Sequence, residues 1–164
     1  MTTSVRQQRL TAALESAVTK AATYSKAPVD LALAGAKHLI VTLDITAAER
    51  DSSDETYDVY ITASDGVSTW DIAHFPQVAT TGAKRYTARI LADRLAEVTT
   101  ATPGVAAEPT AIMKTDTSGS NEGKRTLAAG KVRHGPIPNM IGYDIVIAGT
   151  VVTGISYSIN IQAA

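Results

Sequence analysis

The stretch TYDVYITASDGVSTWDIAHF, residues 56–75, decides the fold. Tyr57, Val59 and Ile61 alternate with Asp58, Tyr60 and Thr62, which is the period-2 pattern of a strand with one face buried. SDGV at 64–67 then supplies the Asp-Gly pair that closes hairpins, because the tight turn needs residues that accept positive φ. Beyond it Trp70, Ile72 and His74 alternate with Asp71, Ala73 and Phe75, so 56–75 reads as one β-hairpin. Pro76 ends it, having no N–H to donate to a ladder.

The same pattern continues on both sides. In HLIVTLDIT, Leu39, Val41, Leu43 and Ile45 share a face opposite Thr42, Asp44 and Thr46. After a turn at Thr80–Gly82, KRYTARIL sets Tyr86, Ala88 and Ile90 against Arg85, Thr87 and Arg89, with the arginines toward water. MIGYDIVIAG points Tyr143, Ile145 and Ile147 inward. ISYSINIQ points Ile155, Tyr157, Ile159 and Ile161 inward, and the two strands are expected to pair through the Gly149–Gly154 connection. VDLAL at 29–33 reads as a short strand. Residues 5–24 fit a helical stripe (Leu10, Leu14, Ala17, Val18, Ala21) and a weak strand equally, and Pro28 is expected to end that element in either case. The fold expected is all-β, an antiparallel β-sandwich of jelly-roll or Ig-like type, forming one domain over 14–164.

Two segments stand outside that pattern. Residues 1–13, beginning with the polar MTTSVRQQR, are expected to form an N-terminal arm offering Arg6 and Arg9 to a partner. Residues 93–136, rich in Thr, Ala, Gly, Pro and Ser, are expected to form a long inserted loop, since loops beyond ~15 residues are usually functional or disordered. Within it Ala111, Ile112 and Met113 make the clearest apolar island and the expected partner anchor, because a polar loop binds through the few groups that gain by leaving water.

Composition narrows the function. In 164 residues, 15 Lys plus Arg oppose 16 Asp plus Glu, for a net charge of −1, so no basic stripe collects phosphates and nucleic acid is not an expected partner. Hydrophobic residues at 45% and charged ones at 19% mark a chain that folds rather than a disordered one. The absence of cysteine excludes disulfides, thiol nucleophiles and thiolate metal sites. No apolar run reaches the ~18 residues of a membrane span and the N-terminus is too polar for a signal peptide, so a soluble protein made in the cytoplasm, with no membrane partner, is expected.

Residue types that carry chemistry do not assemble into a site. His38, His74 and His134 lie far apart in sequence, and the expectation is two solvated histidines and one partly buried at 74. Asp51, Asp54 and Glu55 lack the glycine-centred loop of an EF-hand and read as a solvated turn. GTVVTGIS at 149–156 spaces glycines like a phosphate loop but holds Ile155 where the lysine must be, and reads as a turn. No GxSxG elbow or triad occurs, and Trp70 reads as core. No catalytic residue, cofactor or metal is expected, and the chain is read as not an enzyme.

LDITAAERDSSDETYDVYITASDGVSTWDIAHFPQVATTGAKRY from Leu43, with the late GPIPNMIGYDIVIAGTVVTGISYSINI, resembles small β-sandwich virion proteins of tailed bacteriophages, the capsid decoration or cement proteins and minor structural proteins. The resemblance covers roughly 14–92 and 130–162, and the segment 93–136 is longer than that family's pattern needs. It implies no catalytic residues. It implies a protein made in the host cytoplasm and carried on the particle, where it clamps the outside of the phage head, with the major capsid protein or other virion proteins as partners and repeated copies on a symmetric lattice. A neck, tail or fibre-base protein is the structural alternative. A carbohydrate-binding module is the alternative from another class, and it fits less well because aromatics are only 5% of the chain.

Overall fold

The computed structural model describes residues 10–33, 35–51, 54–92, 97–99, 125 and 127–164. Among them the chain forms β1 (Leu10–Lys20), β2 (Tyr24–Asp30), β3 (His38–Ala48), β4 (Thr56–Ser64), β5 (Thr69–His74), β6 (Lys84–Leu91), β7 (Glu97–Thr99), β8 (Lys131–Arg133), β9 (Met140–Ala148) and β10 (Ile155–Ala163), and no helix. They make two antiparallel sheets, a four-stranded one in the order β1-β10-β3-β6 and a six-stranded one in the order β2-β9-β4-β5-β8-β7. All-β architecture with two antiparallel sheets is the outcome expected from the alternation.

The core lies between the sheets and is built from the inward residues of each period-2 run. Leu39, Val41, Leu43 and Ile45 of β3 join Ile155, Tyr157, Ile159 and Ile161 of β10, and meet Tyr57, Val59 and Ile61 of β4 and Ile141, Tyr143 and Ile145 of β9 in one buried cluster. The Asp65–Gly66 turn closes β4 onto β5 as expected, the Asp65 carboxylate accepting the N–H groups of Val67 and Ser68 at 2.9 and 2.7 Å.

Several expectations are corrected. The N-terminal segment is a strand from Leu10, pairing with β10 from Leu10↔Ala163 to Lys20↔Ile155, so residues 10–13 belong to the sheet and not to an arm. Its alanines suit a helix, but β10 offers backbone partners at both ends of the strand, and pairing overrides propensity. Two register shifts and a left-handed Ala17 (φ 46°) blur the alternation that would have shown this in sequence. Pro28 does not end its element. It sits inside β2 where the ladder with β9 shifts between Lys26 and Val29, and β2 is an outer strand, where a missing N–H is tolerated. β9 and β10 do not pair with each other, because the chain crosses from one sheet to the other through 149–154. Part of the segment 93–136 belongs to the six-stranded sheet as β7 and β8, with Leu127 and Val132 buried, since three-residue strands are too short to show a period.

Strand β5 corrects the expected facing of its side chains. A bulge opposite Ile61 and Thr62 pairs Trp70 with Ala63 and Ala73 with Ile61, which turns Asp71 and His74 together to the outer face. Trp70 is half-buried and packs against the core, in line with the expectation.

The two sheets are also tied by a polar network. The Tyr157 hydroxyl donates to the Tyr143 hydroxyl at 2.9 Å, which donates to Glu15 Oε2 at 2.7 Å, and Lys26 Nζ donates to the same oxygen at 3.2 Å and to the Leu14 carbonyl at 2.6 Å. Burial pushes the Glu15 carboxyl up, but the hydrogen bonds from Tyr143 and Lys26 outweigh it and hold the group below its usual value. Burial also raises the Tyr143 hydroxyl strongly and pushes that of Tyr157 up to about 12. Tyr143→Phe leaves Tyr157 without its acceptor and Glu15 one donor short. A loss of about 1–3 kcal/mol is expected in denaturant melts, and a loss below about 0.5 kcal/mol would show that the network adds no net stability.

Candidate functional site

The outer face of the four-stranded sheet is a regular polar surface. Alternation turns Ser156, Ser158, Asn160 and Gln162 of β10 outward beside Ile40, Thr42 and Asp44 of β3 and Arg85, Thr87 and Arg89 of β6. The ladders align them in rows, Gln162–Ile40–Arg89, Asn160–Thr42–Thr87 and Ser158–Asp44–Arg85, with Thr11 and Ala13 of β1 continuing the first two. From Ser158 to Gln162 the face runs about 13 Å along the strands, and its four strands span about 15 Å across. Its charges sit on the β3–β6 side, where Arg85 and Asp44 are ion-paired and Arg89 stands exposed. Short hydroxyl and amide side chains have few rotamers to lose when covered, so such a face suits contact with another protein surface.

A second polar layer lies on the outer face of the six-stranded sheet and is buried. Thr62, Asp71 and Asp144 are fully covered, and Tyr60, Ser64 and His74 nearly so. The His74 ring stacks on Tyr60 at 3.9 Å between centroids, with Nδ1 2.7 Å from the Leu127 carbonyl and Nε2 3.0 Å from Asp58 Oδ1. Gln77 donates to the other Asp58 oxygen at 2.8 Å, and the Leu127 N–H donates to Asp71 Oδ2 at 3.3 Å. Arg133 Nη1 donates to the Asp71 carbonyl at 3.1 Å, and Arg125 lies 3.8 Å from Asp144. Burial, with the charges of Asp58 and Asp71, raises the Tyr60 hydroxyl. These contacts tie Arg125 and Leu127 to the sheet and Arg133 of β8 to β5. In sequence Tyr60, Thr62, Asp71 and Asp144 fall opposite the apolar faces of β4, β5 and β9 and look solvated. The signal of burial, Tyr60 among them, is too weak to read.

The three histidines divide differently from the expectation. His74 and His134 are both buried and His38 is half-buried, because His134 follows β8 directly and accepts the Leu91 N–H on Nδ1 at 3.0 Å. Of the acidic trio, Asp51 and Asp54 are exposed as expected, whereas Glu55 is buried. Among the described residues, no three His, Asp or Glu side chains converge as metal ligands, and no helix is long and apolar enough to cross a membrane.

The 149–154 connection is a turn, as expected, and its backbone N–H groups do gather an anion, the chain's own Glu49. The Glu49 carboxylate accepts the N–H groups of Val152, Thr153 and Gly154 and the Thr153 hydroxyl, the Gly154 contact at 2.6 Å. Led by the Gly154 N–H, these bonds overcome the opposing effect of burial and hold Glu49 below the usual 4.5. A depressed folded-state value contributes stability that is complete above the unfolded value and is lost as pH falls through the folded one. Wild type is therefore expected to melt higher than Glu49→Gln at about pH 6, with the gap closing toward about pH 3. A gap that stays constant by calorimetry would show that the charge of Glu49 does not stabilise the turn.

The residues expected to contact a partner, Arg6 and Arg9 of the arm and Ala111, Ile112 and Met113 of the long segment, lie outside the described residues. Compared with protein-family models, with curated proteins and with solved structures, the chain matches none of them.

Proposed function

We propose that this chain is a structural protein of a tailed-bacteriophage particle that binds the outside of the head as a decoration or cement protein. The observation that carries the reading is the polar outer face of the four-stranded sheet, lined by Ser156, Ser158, Asn160, Thr42 and Thr87 over the buried core. Such a face binds by area and shape. On a symmetric lattice each weak contact is repeated, so modest affinity per copy suffices. The strand orders β1-β10-β3-β6 and β2-β9-β4-β5 read as an eight-stranded jelly roll with β8 and β7 added beside β5, an architecture used by many capsid domains and lectins. That support is an analogy at the level of the fold. The likeness of residues 43–86 and 135–161 to phage decoration proteins points the same way.

The test is co-sedimentation of the purified chain with heads and, separately, with tails of the phage that encodes it. Binding to heads at a fixed ratio to the capsid subunit is expected, with loss of binding in a Thr42→Lys, Asn160→Lys variant whose melting temperature is unchanged. Binding to tails alone, or head binding indifferent to those substitutions, would overturn the assignment.

A further inference from the structure

We infer that the open edge of β6 takes up an extended, acidic segment of another chain as an added strand. Four strands border the two sheets among the described residues, and three of them are blunted. β1 carries two register shifts and the left-handed Ala17, β2 carries Pro28 and a shift, and β7 is three residues long. β6 is different. It runs eight residues in unbroken register with β3, from His38↔Leu91 to Ile45↔Lys84. Long regular edges invite pairing, and proteins usually blunt them.

The direction of the free groups follows from Leu91. Its N–H donates to His134 Nδ1 at 3.0 Å and its carbonyl accepts the Gly135 N–H at 3.0 Å, so its main chain points away from β3. Antiparallel alternation then points the main-chain groups of Arg89, Thr87 and Arg85 the same way, and among the described residues β6 pairs with no strand on that side. Among the described residues the edge is closed at Leu91 and open for the residues before it.

Charge selects the occupant. Arg85 and Arg89 lie on the outer face of β6 and Lys84 on the other, and among the described residues the one ion pair of these three is Arg85–Asp44, so the edge is cationic on a chain of net charge −1. The Arg85 side chain is 73% exposed all the same. A second copy fits poorly, since antiparallel self-pairing about Thr87 sets Arg85 opposite Arg89 twice, and like charges directly opposed destabilise a ladder. An acidic strand reverses that sign. Carboxylates four residues apart, about 13 Å in an extended chain, meet Arg85 and Arg89, a small polar residue between them meets Thr87, and the alternate positions lie beside Tyr86 and Ala88 at the border of the core.

The probe is a capped nine-residue peptide, Glu-Val-Thr-Val-Glu-Val-Thr-Val-Glu, with its Lys-for-Glu counterpart as control, added to the full chain and followed by amide hydrogen exchange. The acidic peptide is expected to slow exchange at Arg85, Thr87 and Arg89 by about tenfold or more, and the basic one to leave it unchanged. Thr87→Pro removes an outward N–H that β3 does not use, so the fold should persist while protection of Arg85 and Arg89 by the peptide is lost. Arg89→Glu should lose the acidic peptide and gain the basic one. Several results would overturn the inference: no protection by the acidic peptide, protection that survives Thr87→Pro, or protection that grows with protein concentration in the absence of any peptide, which would make the occupant a second copy.

Discussion

Leu43→Ala is expected to destabilise the protein by about 2–5 kcal/mol, the range for truncating a buried leucine where neighbours relax only partly. Leu43 has no exposed surface. Its strand is held on both sides, Leu43 pairing with Ile159 of β10 and Tyr86 of β6, so the backbone has little freedom to close the space. Transfer of the side chain from water accounts for about 1.5–3 kcal/mol, and the residual cavity adds the rest. Thr42→Ala, one residue away on the outer face, is the comparison and should stay within about 0.5 kcal/mol. Denaturant melts of both variants check the pair. A cost below about 1 kcal/mol at position 43 would place the wrong face of β3 inside.

Gly154→Ala should cost about 4 kcal/mol or more, which puts it among the rare severe single substitutions. Two causes add. Gly154 has φ 83°, a conformation costing an alanine about 1–2 kcal/mol. A Cβ there would also overlap the Lys20 carbonyl oxygen and stand 2.6 Å from its carbon and 2.7 Å from Ala21 Cα, all backbone atoms that have no side-chain freedom to yield. Any shift that relieves the overlap pulls Gly154 from Glu49, whose N–H donates to the Gly154 carbonyl and whose carboxylate accepts its N–H. Gly66→Ala separates the causes, since Gly66 has φ 93° with open space around the new carbon, and only the conformational cost of about 1–2 kcal/mol should appear. Equal losses at 66 and 154 would show that close approach plays no part at 154.

Local pattern was enough to mark most strands. Leu39 to Ile45, Tyr57 to Ile61, Tyr86 to Ile90, Tyr143 to Ile147 and Ile155 to Ile161 each alternate as the structure places them, because a strand half-covered by a core must repeat every second residue. The Asp65–Gly66 turn was equally legible, its geometry requiring those residue types. The proposed partner surface was only half legible. The run Ser156, Ser158, Asn160 and Gln162 is visible in sequence, but its neighbours Thr42 and Thr87 join it through β3 and β6, more than 60 residues away.

What the sequence by itself determined is therefore the set of strands and their apolar faces, since these follow from the period of neighbouring side chains. Only the tertiary structure decided which strands pair. It sent β9 and β10 to different sheets, drew the alanine-bearing β1 into a ladder with β10, and turned His74 beside Asp71 through a one-residue bulge. It also buried Asp71 and Asp144 in contact with Leu127 and Arg125 and set Glu49 against the N–H groups of Val152, Thr153 and Gly154. The bulge apart, each of these depends on partners far away in the chain, and a hydrogen bond between residues a hundred positions apart leaves no period in the sequence to read.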